Sequence, residues 1–315
     1  MVEIGYALSS EEHGPNELVK LAGRAEAAGF SFALVSDHYH PWVSKQGQSP
    51  FVWSVLGAIA HGTHRLRVGT GVTCPIRRIH PAIIAQAAAA VAAMMPGRFF
   101  LGVGAGENLN EHITGDAWPP PPTRLDMLEE AIEVIRELWK GDEVTHEGVF
   151  FRVDEARLYT LPDELPPIYV AGSGKRTGEL AARAADGLIS TAPDEEMIEA
   201  FGGKPCLGQI AVCYDADEKR AVRTAHAYWP TAGLKGSGNL LWETKTPELF
   251  EEMVKNVRPE DVKESVLCSA DPAEHLAKIR EFADAGFDHV YVHQIGPEQG
   301  AFFDFYEKEV IPRIA

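Results

Sequence analysis

The chain has 315 residues, 45% of them hydrophobic and 24% charged, enough apolar material for a sizeable core. Its 46 acidic residues against 29 basic ones give a formal charge of −17, a surface that repels nucleic acid and anionic membranes, since both need a basic patch to displace counterions. The first ten residues lack a basic segment leading into an apolar one, no run of eighteen apolar residues occurs, and Cys74, Cys206, Cys213 and Cys268 are scattered without a C-x-x-C pair; the expectation is a cytoplasmic protein without a disulfide framework or a zinc site.

Short apolar runs alternate with amphipathic segments along the whole chain. Val2–Tyr6 reads as a strand and Pro15–Gly29 as a helix, with Leu18, Leu21, Ala22 and Ala25 at helical spacing and Gly29 as its stop. Phe32–Val35 is a buried strand, Pro50–Gly62 a helix and Leu66–Thr70 a third strand. His80–Met95 is the next helix and Arg98–Val103 the fourth strand, followed by a helix over Thr123–Trp139 with Leu125, Leu128, Ile132, Ile135 and Leu138 on one stripe. Pro119–Pro122, ahead of it, predict an extended stretch. Val144–His146 and Phe150–Val153 flank Glu147-Gly148, a hairpin signal outside the alternating pattern.

The pattern resumes with strand Ile168–Ala171, helix Gly178–Ala185, strand Gly187–Ser190 and helix Asp194–Phe201. A strand within Lys204–Tyr214 precedes helix Glu218–Trp229, and Thr231–Lys263 is polar and turn-rich with one helix, Pro247–Asn256. Helix Pro272–Ala285, strand His289–His293 and a closing helix over 301–314 complete the chain. About eight strand–helix units imply a parallel sheet closed into a (β/α)8 TIM barrel, with residues 1–315 as one domain. The insertions Glu107–Thr123 and Thr231–Lys263 both follow strands, so they fall on the C-terminal face, where barrel enzymes build their sites.

Four strand ends carry candidate chemistry. After the second strand come Asp37, His38, His40 and Trp42; a capping aspartate beside a surface histidine would explain them equally well but for their place at the mouth. After the third comes Gly69-Thr70-Gly71-Val72-Thr73-Cys74-Pro75, where backbone can approach a ligand closely or simply turn tightly. After the fourth, Gly102-Val103-Gly104-Ala105-Gly106 lacks the spacing of a dinucleotide fingerprint, with no helix expected at once; it delivers Glu107 and Asn110 to the mouth, where a carboxyl against a flat, partly apolar ligand can donate a proton. Ahead of the helix at Gly178, Gly172-Ser173-Gly174-Lys175-Arg176 combines free amides, a helix N-terminus and two cations, an expected phosphate site. His61, His64, His80, His226 and His275 have no metal-type spacing, and His293 ends the last strand within reach of the mouth.

Three motifs in order, Ser36-Asp37-His38 with Trp42, Gly69-Thr70-Gly71-Val72, and Gly102 to Glu107 with Leu109-Asn110-Glu111, resemble the luciferase-like barrel superfamily and within it the F420-dependent glucose-6-phosphate dehydrogenase group. The resemblance extends over nearly the whole chain. It implies the deazaflavin coenzyme F420 across the barrel mouth, with FMN in a monooxygenase of the same superfamily as the alternative and a non-catalytic F420-binding protein as another. It implies contacts to the cofactor from Asp37, a cis peptide at Gly71-Val72, Cys74 and Asn110, with Ser173 and Gly174 on its phosphate. His38 is then the residue exchanging the alcohol proton, Glu107 the acid across the mouth, and Trp42 the packing wall. A small hydroxylated or carbonyl substrate, hydride transfer and a homodimer follow from the same resemblance. Thr191 matches the group's substrate threonine, but the lysine expected after it falls on Asp194, and Val262-Lys263-Glu264-Ser265 stands where the group has an arginine next to a lysine. Glucose 6-phosphate therefore does not carry over.

Overall fold

The structure, a computed structural model, describes residues 2–234 and 240–314. Its first half alternates β1 (Glu3–Leu8), α1 (Pro15–Ala28), β2 (Phe32–Val35), α2 (Val52–Gly62), β3 (Arg67–Thr70), α3 (Pro81–Met94) and β4 (Phe99–Gly104). There follow α4 (Asn108–Glu111), α5 (Pro121–Leu138) and the antiparallel pair β5 (Val144–Glu147) and β6 (Arg152–Ala156). The second half runs β7 (Ile168–Ala171), α6 (Gly174–Ala184), β8 (Gly187–Ser190), α7 (Glu195–Phe201), β9 (Cys206–Val212) and α8 (Glu218–Tyr228). Short helices α9 (Leu240–Glu243), α10 (Pro247–Val254) and α11 (Pro259–Lys263) lead to α12 (Pro272–Asp284), β10 (His289–Gln294) and α13 (Gly300–Phe305).

Eight strands close in the order β1-β10-β9-β8-β7-β4-β3-β2, every neighbour parallel, and the β5–β6 hairpin stands outside, as the alternation predicts. Parallel strands need crossovers, and the amphipathic helices provide them: Leu18, Leu21, Ala22 and Ala25 of α1 and Leu128, Ile132 and Ile135 of α5 are buried toward the sheet. Inside the barrel, Phe32, Leu34, Phe100, Tyr169, Ile189, Leu207 and Tyr291 fill the lumen, so it is a core and not a pore. Gly69, read from sequence as part of a ligand-facing turn, instead makes room for this core: a Cβ there would sit 2.2 Å from the Phe100 ring.

Several boundaries differ from expectation for physical reasons. Pro121 and Pro122 belong to the first turn of α5, where a missing N–H costs nothing, so only Pro119 and Pro120 stay extended. α6 begins at Gly174, not Gly178; Gly178 is helical because α7 packs so closely that a Cβ would lie 2.3 Å from the Met197 carbonyl oxygen. A one-turn helix, α4, does follow Glu107 at once, where the sequence predicts none. The segment 231–263 holds three short helices where one was expected, with residues 235–239 of that stretch outside the described residues. The closing helix is regular only through Phe305, then continues in wider turns over Tyr306–Val310. No helix among the described residues is long and apolar enough to cross a membrane.

Candidate active site

A cavity of about 490 Å³ opens at the C-terminal ends of the strands; seven of them line its wall, and β3 adds Gly71 and Val72 from just past its end. His38, Trp42, Gly71, Val72, Glu107, Ser173 and Thr191 line it, so most of the residues singled out from sequence meet there. Asp37, Cys74 and Asn110 do not line it and are buried behind its wall; Gly174, half-buried, does not line it either.

His38 follows β2 and is buried. Its Nδ1 lies 3.2 Å from the His40 carbonyl oxygen, which only accepts, so Nδ1 carries the ring proton. Nε2 keeps its lone pair; it lies 3.4 Å from Glu11 Oε1 but makes no hydrogen bond to it, unlike a protonated nitrogen facing a carboxylate. Glu11 is itself fixed: its Oε2 accepts from Ser36 Oγ at 2.6 Å and from Ser9 Oγ at 3.0 Å. Glu11 is a site residue that the sequence reading missed, although it stands three positions past β1 in the same cavity wall. The Trp42 ring is 5.3 Å from the His38 ring, and Phe250 of α10 meets it edge-on at 5.2 Å, so the second insertion holds the indole against the cavity.

Behind the β3–β4 wall lies a buried charged layer. Asp37 Oδ1 accepts from Arg78 Nη2 at 2.8 Å and Oδ2 from Thr73 Oγ1 at 2.8 Å, so this carboxylate faces the protein and not the cavity. The Arg78 amide also donates to Glu111 Oε2 at 2.8 Å. Asn110 Oδ1 accepts from the amides of Tyr39 and His40 at 2.8 and 3.2 Å, tying the β2 extension to α4, and its Nδ2 reaches Glu107 Oε2 at 3.4 Å. The Cys74 thiol is pushed well up by burial, with Glu111 adding to the shift, so it stays protonated and packs beneath Gly106. Asp37, Cys74 and Asn110, the expected cofactor contacts, are thus buried in the wall and position it.

Burial pushes the Glu111 carboxyl from its ordinary 4.5 up to about 7, partly opposed by Arg78. A raised folded value means stability that is complete below the unfolded value and is lost as pH rises toward the folded one. The urea midpoint should therefore fall between pH 5 and pH 8, and Glu111→Gln, which still accepts from the Arg78 amide, should flatten that fall. An unchanged slope in the variant would contradict the assignment.

The expected phosphate loop is only partly assembled. Ser173 caps α6 and its side chain makes no capping bond, but the Gly174 amide donates to Asp194 Oδ2 at 2.6 Å. Arg176 pairs with Asp126 at 2.9 Å and Lys175 lies 3.9 Å from Glu179, both on the exposed surface. Asp194 also caps α7, accepting from Met197, which explains an acid where the resemblance expects a lysine.

The chain belongs to the luciferase-like monooxygenase family, whose model matches residues 1–289. The chain is 36% identical over 330 residues to the F420-dependent glucose-6-phosphate dehydrogenase of Nakamurella multipartita, covering 99% of this chain and 96% of that protein. It is 35% identical to the enzyme of the same description from Mycobacterium avium, over 99% and 98% of the two chains. The solved structure of an F420-dependent secondary alcohol dehydrogenase in complex with an F420–acetone adduct is 33% identical, with a TM-score of 0.89 over 98% of each chain.

Proposed function

We propose that this chain is a coenzyme F420-dependent oxidoreductase that moves a hydride between a hydroxylated or carbonyl small molecule and the deazaflavin. The observation that carries the reading is the His38–Glu11 pair in the cavity wall, an imidazole with an unprotonated Nε2 beside a carboxylate able to hold the imidazolium. The residues present fit a flat ring: Gly71, Gly104 and Gly106 leave bare backbone along one side of the cavity, with Val72 beside them in a Gly71–Val72 peptide that is cis. Ser173 is the residue left to meet a phosphate, since Gly174 is engaged by Asp194. F420 supplies the hydride acceptor or donor when bound there.

His38 Nε2 takes the alcohol proton, and the resulting imidazolium is held by Glu11 Oε1. Glu107, past the end of β4 and oriented by Asn110 three residues on, moves a proton at its own part of the cavity wall. Trp42 shields the reacting centre from water. Reduction of a carbonyl uses the same groups in reverse. The relatives' names include glucose 6-phosphate, but Asp194 and the acids of this wall argue for a different substrate here, with Thr191 lining its place. Mixing the protein with oxidised F420 and a panel of secondary alcohols, polyols and sugar phosphates tests the reading: bleaching of the deazaflavin's visible band is expected with a member that carries no phosphate. Bleaching by glucose 6-phosphate alone would overturn the substrate assignment, and none with any member would overturn the hydride transfer.

A further inference from the structure

The loop after β1 carries two successive carboxylates, and the barrel order sets β1 between β2 and β10. Glu11 serves the β2 side and His38. Glu12 serves the β10 side, where its Oε2 lies 2.9 Å from Nε2 of His293. This second carboxylate–imidazole pair is buried, and the reaction just described makes no use of it.

Glu12 accepts two further hydrogen bonds, from Trp229 Nε1 at 2.9 Å and from the Gly296 amide at 2.8 Å. Burial pushes this carboxyl up, but His293, Trp229 and Gly296 together more than offset it and hold it below the ordinary range. An ionised carboxylate can only accept, so the proton of the neutral His293 ring is on Nε2 and Nδ1 is an acceptor. Among the described residues the side-chain hydrogen bond of His293 is the one through Nε2, which leaves Nδ1 open, and the ring lines the cavity edge-on to Trp229 at 4.7 Å. Nothing in the fold requires an imidazole with an open nitrogen there.

We infer that His293 Nδ1 is a second recognition point, accepting a hydrogen bond from another hydroxyl of an uncharged polyhydroxylated substrate whose reacting carbinol lies at His38. The inference rests on the hydride-transfer reading for the first point of contact and supplies the second. β2 and β10 stand two strand spacings apart, about 10 Å, and their side chains converge inward. A polyol or an unphosphorylated sugar bridges such a gap, whereas a simple secondary alcohol reaches one imidazole only. The charge of the wall agrees: Glu11 and Glu107 face the cavity, and its one arginine among the described residues, Arg124, is paired with Glu243 at 3.1 Å. An anionic group there would meet net negative charge. Trp42, Trp229 and Trp242 offer flat apolar faces to the C–H side of a sugar.

Histidine-labelled protein loaded with reduced F420, which allows no oxidation of an alcohol, is titrated with sorbitol, D-glucose and, separately, 2-propanol. The 15N resonance of His293 Nδ1 is followed, assigned by its loss in His293→Gln. A shift with sorbitol or glucose and none with 2-propanol is expected; no shift with either polyhydroxylated probe overturns the inference. In turnover with oxidised F420, His293→Gln is expected to lower kcat/KM for the polyhydroxylated probe about tenfold, through KM, and to leave 2-propanol unchanged. Glu12→Gln, whose single oxygen keeps an acceptor for Trp229 or for Gly296 but not for both, should show the same selective loss, acting as a positioning residue through His293. Equal loss on both kinds of alcohol overturns the inference and leaves the hydride-transfer reading standing. Wild-type protein that bleaches F420 with no alcohol overturns that reading instead, while the resonance shift still decides the question of His293.

Discussion

His38→Ala is expected to lower the alcohol-dependent reduction of F420 by about 10²-fold or more while F420 affinity stays close to wild type. The ring contributes to turnover through Nε2, whose lone pair is secured by the Nδ1 contact to the His40 carbonyl, and this is chemistry that alanine cannot supply. Cofactor affinity should survive because the flat wall is built from Gly71, Val72 and Gly104 to Gly106 on other strands. Glu11→Gln separates the two halves of the pair: it keeps acceptors for Ser36 and Ser9 but removes the charge that steadies an imidazolium, and a loss of about tenfold is expected. Glu107→Gln should again lower turnover about 10²-fold with affinity retained. Turnover is read by stopped-flow bleaching of the deazaflavin band and affinity by fluorescence titration. Full turnover in His38→Ala would show that the base is elsewhere.

Much of this site follows from one rule applied to a repeating pattern. Once strands and helices alternate, residues just past each strand face the mouth, and that rule alone brings His38, Trp42, Glu107, Ser173 and Thr191 to the cavity. Glu11 obeys the same rule but was hidden by a boundary: with β1 read as ending at Tyr6 it sits five residues into a loop, whereas the strand runs to Leu8. The pairing of Glu12 with His293 spans 281 positions, and no local pattern carries it. Asp37 shows the opposite limit. Its place after β2 predicts a ligand contact, yet Arg78, 41 residues on, turns its carboxylate inward. Glycine-rich segments were ambiguous for a related reason: Gly69 accommodates Phe100 and Gly178 accommodates α7, and neither partner is visible nearby in sequence.

The same buried layer sets the largest stability effect. Arg78→Met is expected to destabilise the protein by about 3–5 kcal/mol near neutral pH, because it leaves two enclosed carboxyls without their cation. The Arg78 side chain is only 6% exposed and bridges Asp37, at 0%, and Glu111, at 1%, so solvent cannot take over its role. With the arginine in place Glu111 already titrates at about 7; without it that carboxyl rises further. Stability tied to a raised carboxyl is complete below the unfolded value and is lost with rising pH, so the deficit of Arg78→Met should be smallest near pH 5 and grow toward pH 8. Urea unfolding at the two pH values measures it, and a deficit independent of pH would mean that lost packing, not uncompensated charge, is the cause. Adding Glu111→Gln should return part of the stability at pH 8 but little at pH 5, since the added change removes one of the two charges only where that charge exists. Arg78 Nη2 also donates to the Asp37 carbonyl at 3.2 Å, directly before His38. The variant should therefore lose turnover even where it remains folded, linking the buried layer to the imidazole it holds in place.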